Sequence, residues 1–394
     1  MFIEIEDLGD VSSMARDLGN ARKNKNDEFY TQFSDIQKEM NAYLEYDANV
    51  FKDKTILLPA DDPEWSNFTK FFAQNFERFG IKKLISTSYA YESKKISEPY
   101  QLSLFESESP KFDKNKTKVK GKIFILDGDK NKSGKIDIND LEWNYLNGDG
   151  DFRSDEVKKL RDEADIIITN PPFSLFREFV SWILEANKKF IIIGHQNATS
   201  YKEIFPLIRD NKIWLGKGFD GGATHFINKY YNDYATAGEH RDGMIRVSGV
   251  VWFTNIDHGR RHQPLQLMTM EDNIKYSKHK EVKNHEYLKY ENFDAIDIPF
   301  TDAIPKGYKG VMGVPITFLN KYNPDQFIIL GFGAGELGVE AGVRPYDRKL
   351  KKLSSALRDG IPFILDKEKN EVKVPYARIF VQFKEDNNEN DIEN

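Results

Sequence analysis

Two segments of this chain, residues 164–170 (ADIIITN) and 189–197 (KFIIIGHQN), have apolar centres with no polar alternation, and a helix-length stretch, residues 174–188 (SLFREFVSWILEANK), lies between them. A strand that faces water on one side alternates apolar with polar residues. A strand that is apolar throughout must be covered on both faces, which is the situation of a parallel sheet with helices packed on each side. The pattern occurs earlier too: residues 54–60 (KTILLPA) read as a strand, a helical stretch follows with Phe68, Phe71, Phe72, Phe76 and Phe79 on one face, and residues 82–90 (KKLISTSYA) read as the next strand. Strand–helix–strand units of this kind build a doubly wound α/β sheet, here Rossmann-like.

At 394 residues the chain exceeds what one core usually supports, so a second module is expected. It has no Cys, which removes disulfides, thiolate zinc sites and thiol nucleophiles, and with them methylation at cytosine C5 by covalent cysteine attack. No segment approaches the run of about 18 apolar residues that a membrane span needs, and the acidic start (MFIEIEDLGD) is unlike a secretory signal, so a cytoplasmic setting is expected. The net charge is −6, yet residues 258–289 carry Arg260, Arg261, Lys275, Lys278, Lys280, Lys283 and Lys289, and six of the seven His lie between 225 and 285. A local basic face on an acidic protein is compatible with a nucleic-acid partner.

The strongest chemical signal is Asn170-Pro171-Pro172-Phe173, which closes the apolar strand at 164–170. Open parallel sheets bind ligands beyond the carboxyl ends of their strands, and two prolines there fix an extended turn. An exocyclic aromatic amine is a poor nucleophile because its lone pair is delocalised into the ring. An Asn side-chain oxygen and the neighbouring Pro171 carbonyl can accept its two hydrogens and aim the lone pair at a methyl sulfonium. A base inside a duplex cannot reach such a turn and must be flipped out, with Phe173 stacking on its face. One such stack is worth roughly 1–3 kcal/mol, comparable to the few kcal/mol that flipping costs. The competing reading is a strand-terminating turn with Asn as a cap and Phe as core.

Two further patterns compete for attention. Residues 129–140 match several positions of an EF-hand calcium loop, but end in Asp140 rather than Glu and have strand-like flanks, so a hairpin turn is favoured over a calcium site. His258 and His262 are four apart, with no convincingly spaced third ligand, and no metal is expected.

Six separated blocks give the chain a family resemblance: residues 25–32 (KNDEFYTQ), Asp61-Asp62-Pro63 with Ser66-Asn67-Phe68, residues 148–154 (GDGDFRS), 169–178 (TNPPFSLFRE), 211–216 (NKIWLG) and 310–319 (GVMGVPITFL). In this order they resemble the EcoRI-type adenine-specific DNA methyltransferases. The resemblance implies S-adenosylmethionine as cofactor, with Asp27, Phe29, Tyr30 and Thr31 near its methionine end, Asp61, Asp62 and Pro63 in the cofactor loop with an aspartate on its amino group, and Asp151 and Phe152 holding its adenine by a hydrogen bond and a stack. It further implies that Asn170 to Phe173 hold the target base. Two features depart from the usual pattern: the first loop is not glycine-rich, and the strand at 82–90 lacks the acidic residue that commonly binds ribose.

The expected organisation is an N-terminal extension (1–20), a catalytic domain (20–216) with an insertion at 91–118, a target-recognition region (217–310), a C-terminal segment (311–383) that partly returns to the core, and an acidic disordered tail (384–394). Within the recognition region Arg260, Arg261, His262, Asn255 and His225 are the residue types that meet bases and phosphates. The expected activity is N6-methylation of adenine in double-stranded DNA at a short palindrome, centred on AATT if the family pattern holds, by a monomer or weak dimer, with or without a cognate restriction endonuclease, and with no membrane partner. Cytosine N4-methylation, methylation of a protein glutamine or RNA amine, and a non-catalytic DNA-binding homologue remain alternatives.

Overall fold

Strand β1 (Thr55–Pro59) is buried at every position, as are the four residues of the strand that ends at the proline turn, which is β5 in chain order (Ile166–Thr169). The computed structural model describes residues 31–63, 66–90, 111–128, 143–219, 223–227 and 244–384. Between β1 and β5 in sequence come β2 (Lys83–Thr87), β3 (Lys122–Leu126) and β4 (Trp143–Tyr145); β6 (Lys189–His195) and β7 (Trp214–Leu215) follow. After the antiparallel hairpin β8 (Ala223–Ile227) with β9 (Met244–Ser248) comes β10 (Val250–Thr254).

An eight-stranded sheet has the order β4-β3-β2-β1-β5-β6-β10-β7. Its centre, β2-β1-β5-β6, is parallel, and β3, β4 and β10 join it antiparallel to their neighbours. The chain moves outward from β1 to β2 and returns to β5 on the other side of β1, so the switch point of a doubly wound sheet lies between β1 and β5. This is the mixed α/β, Rossmann-like fold that the apolar strands require. Helix α1 (Phe33–Tyr46) buries Ile36, Met40 and Tyr43, and α2 (Asn67–Gln74) buries Phe68, Phe71 and Phe72 in the same core. Ser66 caps α2 by accepting from Phe68 N at 3.0 Å, and Ser154 caps α3 (Asp155–Glu163) through Val157 N at 3.3 Å.

The chain divides into two compact units, residues 1–198 with 215–258, and residues 199–214 with 259–394. These borders differ from the sequence reading, which opens a second region at 217 and has the segment 311–383 partly returning to the core. The segment that rejoins the large sheet is β10, in register with β6 from Val250↔His195 to Thr254↔Ile191. The block at 310–319 instead supplies β12 (Met312–Pro315) to the second unit's own sheet, ordered β11 (Ile296–Asp297), β12, β14 (Arg378–Phe383) and β13 (Phe327–Gly333). Gly313 belongs there because the Tyr290 ring occupies the space a Cβ would need. Residues 1–30, most of the 91–118 insertion, the calcium-like loop at 129–140 and the tail after 384 lie outside the described residues. Among the described residues no helix is long and apolar enough to cross a membrane, and no group of three His, Asp or Glu could hold a metal ion.

Candidate active site

The carboxyl ends of β1 and β5 converge through one buried carboxylate. Asp61, 6% exposed, follows β1; its Oδ1 accepts from Ser66 Oγ at 2.6 Å and its Oδ2 from Thr169 Oγ1 at 2.6 Å. Its main-chain oxygen accepts from Ser86 Oγ of β2 at 2.5 Å. Both oxygens of Asp61 are therefore engaged by hydroxyls inside the protein, unlike the open carboxylate expected of a ligand for a cofactor amine. Asp62 is the more accessible of the pair and faces Lys122 Nζ at 3.9 Å. Just before them, Ala60 adopts φ +84°, a left-handed conformation that favours glycine and costs a non-glycine residue roughly 1–3 kcal/mol. The loop thus turns as a glycine-rich loop would, with no glycine to advertise it.

Thr169 immediately precedes Asn170, so the Asp61 bridge reaches the proline turn directly. Asn170 Nδ2 donates to Thr31 Oγ1 at 3.4 Å, which turns the nitrogen of the amide toward Thr31. Thr31 is itself buried, and its carbonyl accepts from Asn67 Nδ2 at 2.8 Å. Three of the sequence blocks, those of Thr31, Asp61–Asn67 and Thr169–Phe173, are thereby joined by side chains at the switch point. Phe173 is half-buried and packs on the edge of the main core. Asp27, Phe29 and Tyr30 lie outside the described residues.

The loop at 148–152 docks on the end of β2. Gly150, φ +84°, lies against the Ser88 carbonyl, where a Cβ would collide, and Ala90 N donates to Asp149 O at 2.7 Å. Partial burial pushes the Asp151 carboxyl up, but hydrogen bonds from Arg153, at 2.6 to 2.9 Å, and the guanidinium charge outweigh it and hold Asp151 below the usual carboxylate range. Phe152 is buried; its ring makes edge contacts with Phe179 at 5.1 Å and Trp182 at 5.5 Å, rather than standing open for a ligand to stack on. The residue that sequence reasoning missed is Tyr89, at the end of β2 where an acidic residue was sought. Its hydroxyl accepts from Phe152 N at 3.3 Å, and burial and the neighbouring Asp151 charge push its phenol well up, so it is a neutral donor. Nothing but its place after a strand could have marked it.

The residues expected to meet DNA separate into two groups. The Asn255 amide accepts from Phe190 N at 2.8 Å and donates to Lys188 O at 3.0 Å, so it stitches one strand to another. Arg261, 6% exposed, lies over the Trp214 ring at 3.8 Å and donates to Asn211 Oδ1. Both are framework residues. Arg260 and His262 are half-buried, and His262 Nδ1 lies 3.0 Å from Asp325 Oδ2. His258 is buried with Nε2 at 3.0 Å from Leu215 O, so the His258/His262 spacing reflects separate local roles. His225 sits on β8, and its carbonyl accepts from Gln32 Nε2 at 2.7 Å, one residue from Thr31.

The chain is similar to known proteins over most of its length. The family described as "Adenine-specific methyltransferase EcoRI" matches residues 17–384. The chain is 39% identical to the Type II methyltransferase M.EcoRI of Escherichia coli over 343 residues, 85% of this chain and 95% of the relative. It is 33% identical to the Type II methyltransferase M.MpnI of Mycoplasma pneumoniae, and 34% identical to M.MgeORF184P of Mycoplasma genitalium, each over 79% of this chain and 84% of the relative. No solved structure matches.

Proposed function

The chain belongs to the EcoRI family of adenine-specific DNA methyltransferases, and from that premise we propose that it methylates N6 of an adenine flipped out of duplex DNA, with S-adenosylmethionine as methyl donor. The observation that carries this reading is the side-chain bridge between the ends of β1 and β5, because it gathers Thr31, Asp61 and Asn170 at the crevice where a sheet of this topology binds ligands.

The donor set fits this cofactor. S-Adenosylmethionine supplies a methyl group on a positively charged sulfonium, together with an ammonium and an adenosine. Asp62 and Asp151 offer negative charge at the ends of β1 and β2, and Tyr89 with Asp151 offers a neutral donor beside an ionised acceptor for adenosine. Asp27, Phe29 and Tyr30 are assigned to the methionine end by the order of the family's blocks. Pro63 shapes the loop, and Phe152 backs the adenosine pocket by fixing the Asp151 main chain.

On the substrate side, the Asn170 Oδ1 and the Pro171 carbonyl accept the two N6 hydrogens and localise the nitrogen lone pair. Pro171 and Pro172 hold these acceptors at fixed backbone angles, and Phe173 stacks on the extruded base. Asp61 serves as a positioning residue: through Thr169 it sets the height of Asn170. Arg260, His262 and His225 contact DNA, at a short palindrome, AATT-centred in the family's manner, and the protein acts as a monomer or weak dimer in a restriction–modification pair or alone.

Incubation with labelled S-adenosylmethionine and unmethylated duplex DNA, followed by nucleoside analysis, tests the proposal. N6-methyladenine is the expected product. N4-methylcytosine would overturn the base assignment, and cofactor binding with no modified nucleoside in varied duplexes would overturn the DNA reading.

A further inference from the structure

Residues 344–359 of the second unit (RPYDRKLKKLSSALRD) hold six basic and two acidic side chains in a protein of net charge −6. No strand and only one short 3₁₀ turn, Arg348–Lys352, lies within them. A stretch this long without regular structure is uncommon unless it has a task, and this one is built to be rigid. Tyr346, Leu357 and Phe363 form a small core of their own, onto which Leu350, Leu365, Val372 and Val374 pack. Leu357 is wholly buried.

Two of the cations close the loop on itself. Lys351 Nζ donates to the carbonyls of Ser355 at 2.9 Å and Leu357 at 2.6 Å, and Arg358 Nη1 donates to the same two at 2.5 and 2.8 Å. Arg348 lies over the Tyr346 ring at 4.5 Å and pairs with Asp359 at 2.7 Å. Asp347 caps the turn by accepting from Lys349 N at 2.9 Å.

A 3₁₀ turn has three residues per repeat, so side chains three apart share a face. Leu350 occupies the inward face, and Arg348 and Lys351 share one that is spent on ion pairing and loop closure. Lys349 and Lys352 share the remaining face: both are exposed, and among the described residues neither makes an ion pair. Two like charges about 6 Å apart along the axis of a rigid turn repel one another. An anion repeating along a chain relieves that repulsion.

We propose that this turn is a phosphate-contacting surface for duplex DNA, with Lys349 and Lys352 neutralising backbone phosphates outside the bases that are read. The inference rests on the DNA reading above. It adds a surface apart from the residues 258–289, and one that contributes affinity without sequence preference.

The test is the salt dependence of duplex binding, by fluorescence anisotropy, for the wild type, K349Q/K352Q and the control K52Q/K159Q, which removes two exposed lysines of the first unit. For K349Q/K352Q the slope of log K against log salt should become shallower by about 1.8, which is two phosphates at about 0.9 each. The loss should be equal on target and non-target duplexes, with the methylation rate at saturating DNA retained. The control should match the wild type. An unchanged slope in K349Q/K352Q with wild-type affinity overturns the proposal. Absence of duplex binding by the wild type overturns instead the DNA reading on which it stands.

Discussion

The strand ends of the first unit and the polar surface of the second are built by opposite rules. At the switch point the polar groups interlock: side-chain hydrogen bonds link Ser66 and Thr169 to Asp61, and Asn170 and Asn67 to Thr31, the two sets meet where Thr169 precedes Asn170, and the bonds to Asp61 are buried. In the second unit the cations divide, some consumed in packing, as Arg261 is on Trp214, and others left on rigid exposed turns, as Lys349 and Lys352 are. The chemistry of methyl transfer needs atoms fixed to fractions of an ångström, which a closed network supplies. Recognition of a large anion needs charge displayed at the surface, where a closed network would neutralise it.

That contrast breaks first at Asn170. Asn170→Ala should cut the methyl transfer rate by about 10²–10³-fold, the usual loss when one precise hydrogen-bonding group of a reacting centre is removed. Calorimetry should find S-adenosylmethionine binding retained; a variant with near wild-type turnover would detach the proline turn from the chemistry. Thr169→Val keeps the shape of the side chain but leaves Asp61 Oδ2 without its 2.6 Å partner. Turnover should fall by about tenfold through misplacement of Asn170, while the KM for DNA stays within about twofold of the wild type. Equal losses in binding and turnover would reduce the bridge to a stability element.

The first unit also buries a carboxyl away from the site. Glu39 on α1 is buried, and burial pushes it up to about 7 against hydrogen bonds from Gly218 N, Tyr43 Oη and Lys217 N, each at 2.9 Å. A Cβ on Gly216 would collide with the same carboxylate. A carboxyl raised above its ordinary 4.5 binds a proton more tightly folded than unfolded. Its contribution to stability is complete below pH 4.5 and is lost as pH rises through 7, a change of about 3 kcal/mol. Urea unfolding from pH 4.5 to 8 should find that loss in the wild type and a flatter profile in Glu39→Gln. Parallel profiles would mean that Glu39 is ionised throughout.

How much of this was readable depended on the range of the forces involved. The fold and the proline turn were legible because an apolar run, a polar end and two prolines act within ten residues. Asp61 was legible as a strand-end residue but not as an inward-facing one, since its orientation is decided by Thr169, 108 residues away. Asn255 read as a base-contacting amide, yet its partner Phe190 is 65 residues upstream, and no local pattern announces that pairing. The block at 310–319 read as part of a segment that partly returns to the catalytic core, whereas Met312–Pro315 pairs within the second unit's own sheet; composition does not say which of two sheets a strand joins. The basic turn at 348–352 went unread because its meaning depends on which lysines a small hydrophobic core turns inward.

The smallest expected effects separate two adjacent arginines. Arg261→Ala removes a buried guanidinium that is stacked on Trp214 and bonded to Asn211, so unfolding free energy should drop by about 2–3 kcal/mol. Arg260→Ala, one residue earlier and only half-buried, should shift stability by no more than about 0.5 kcal/mol. The slope of log K for DNA against log salt should respond in the opposite order: shallower by about 0.9 for Arg260→Ala, and unchanged for Arg261→Ala among molecules that remain folded. Measuring both quantities on both variants keeps the two roles separate, because destabilisation lowers the concentration of binding-competent protein without altering the number of counterions released. If Arg261→Ala flattens the slope as well, its guanidinium leaves Trp214 to reach phosphate, and packing and recognition in the second unit draw on the same side chain at different moments.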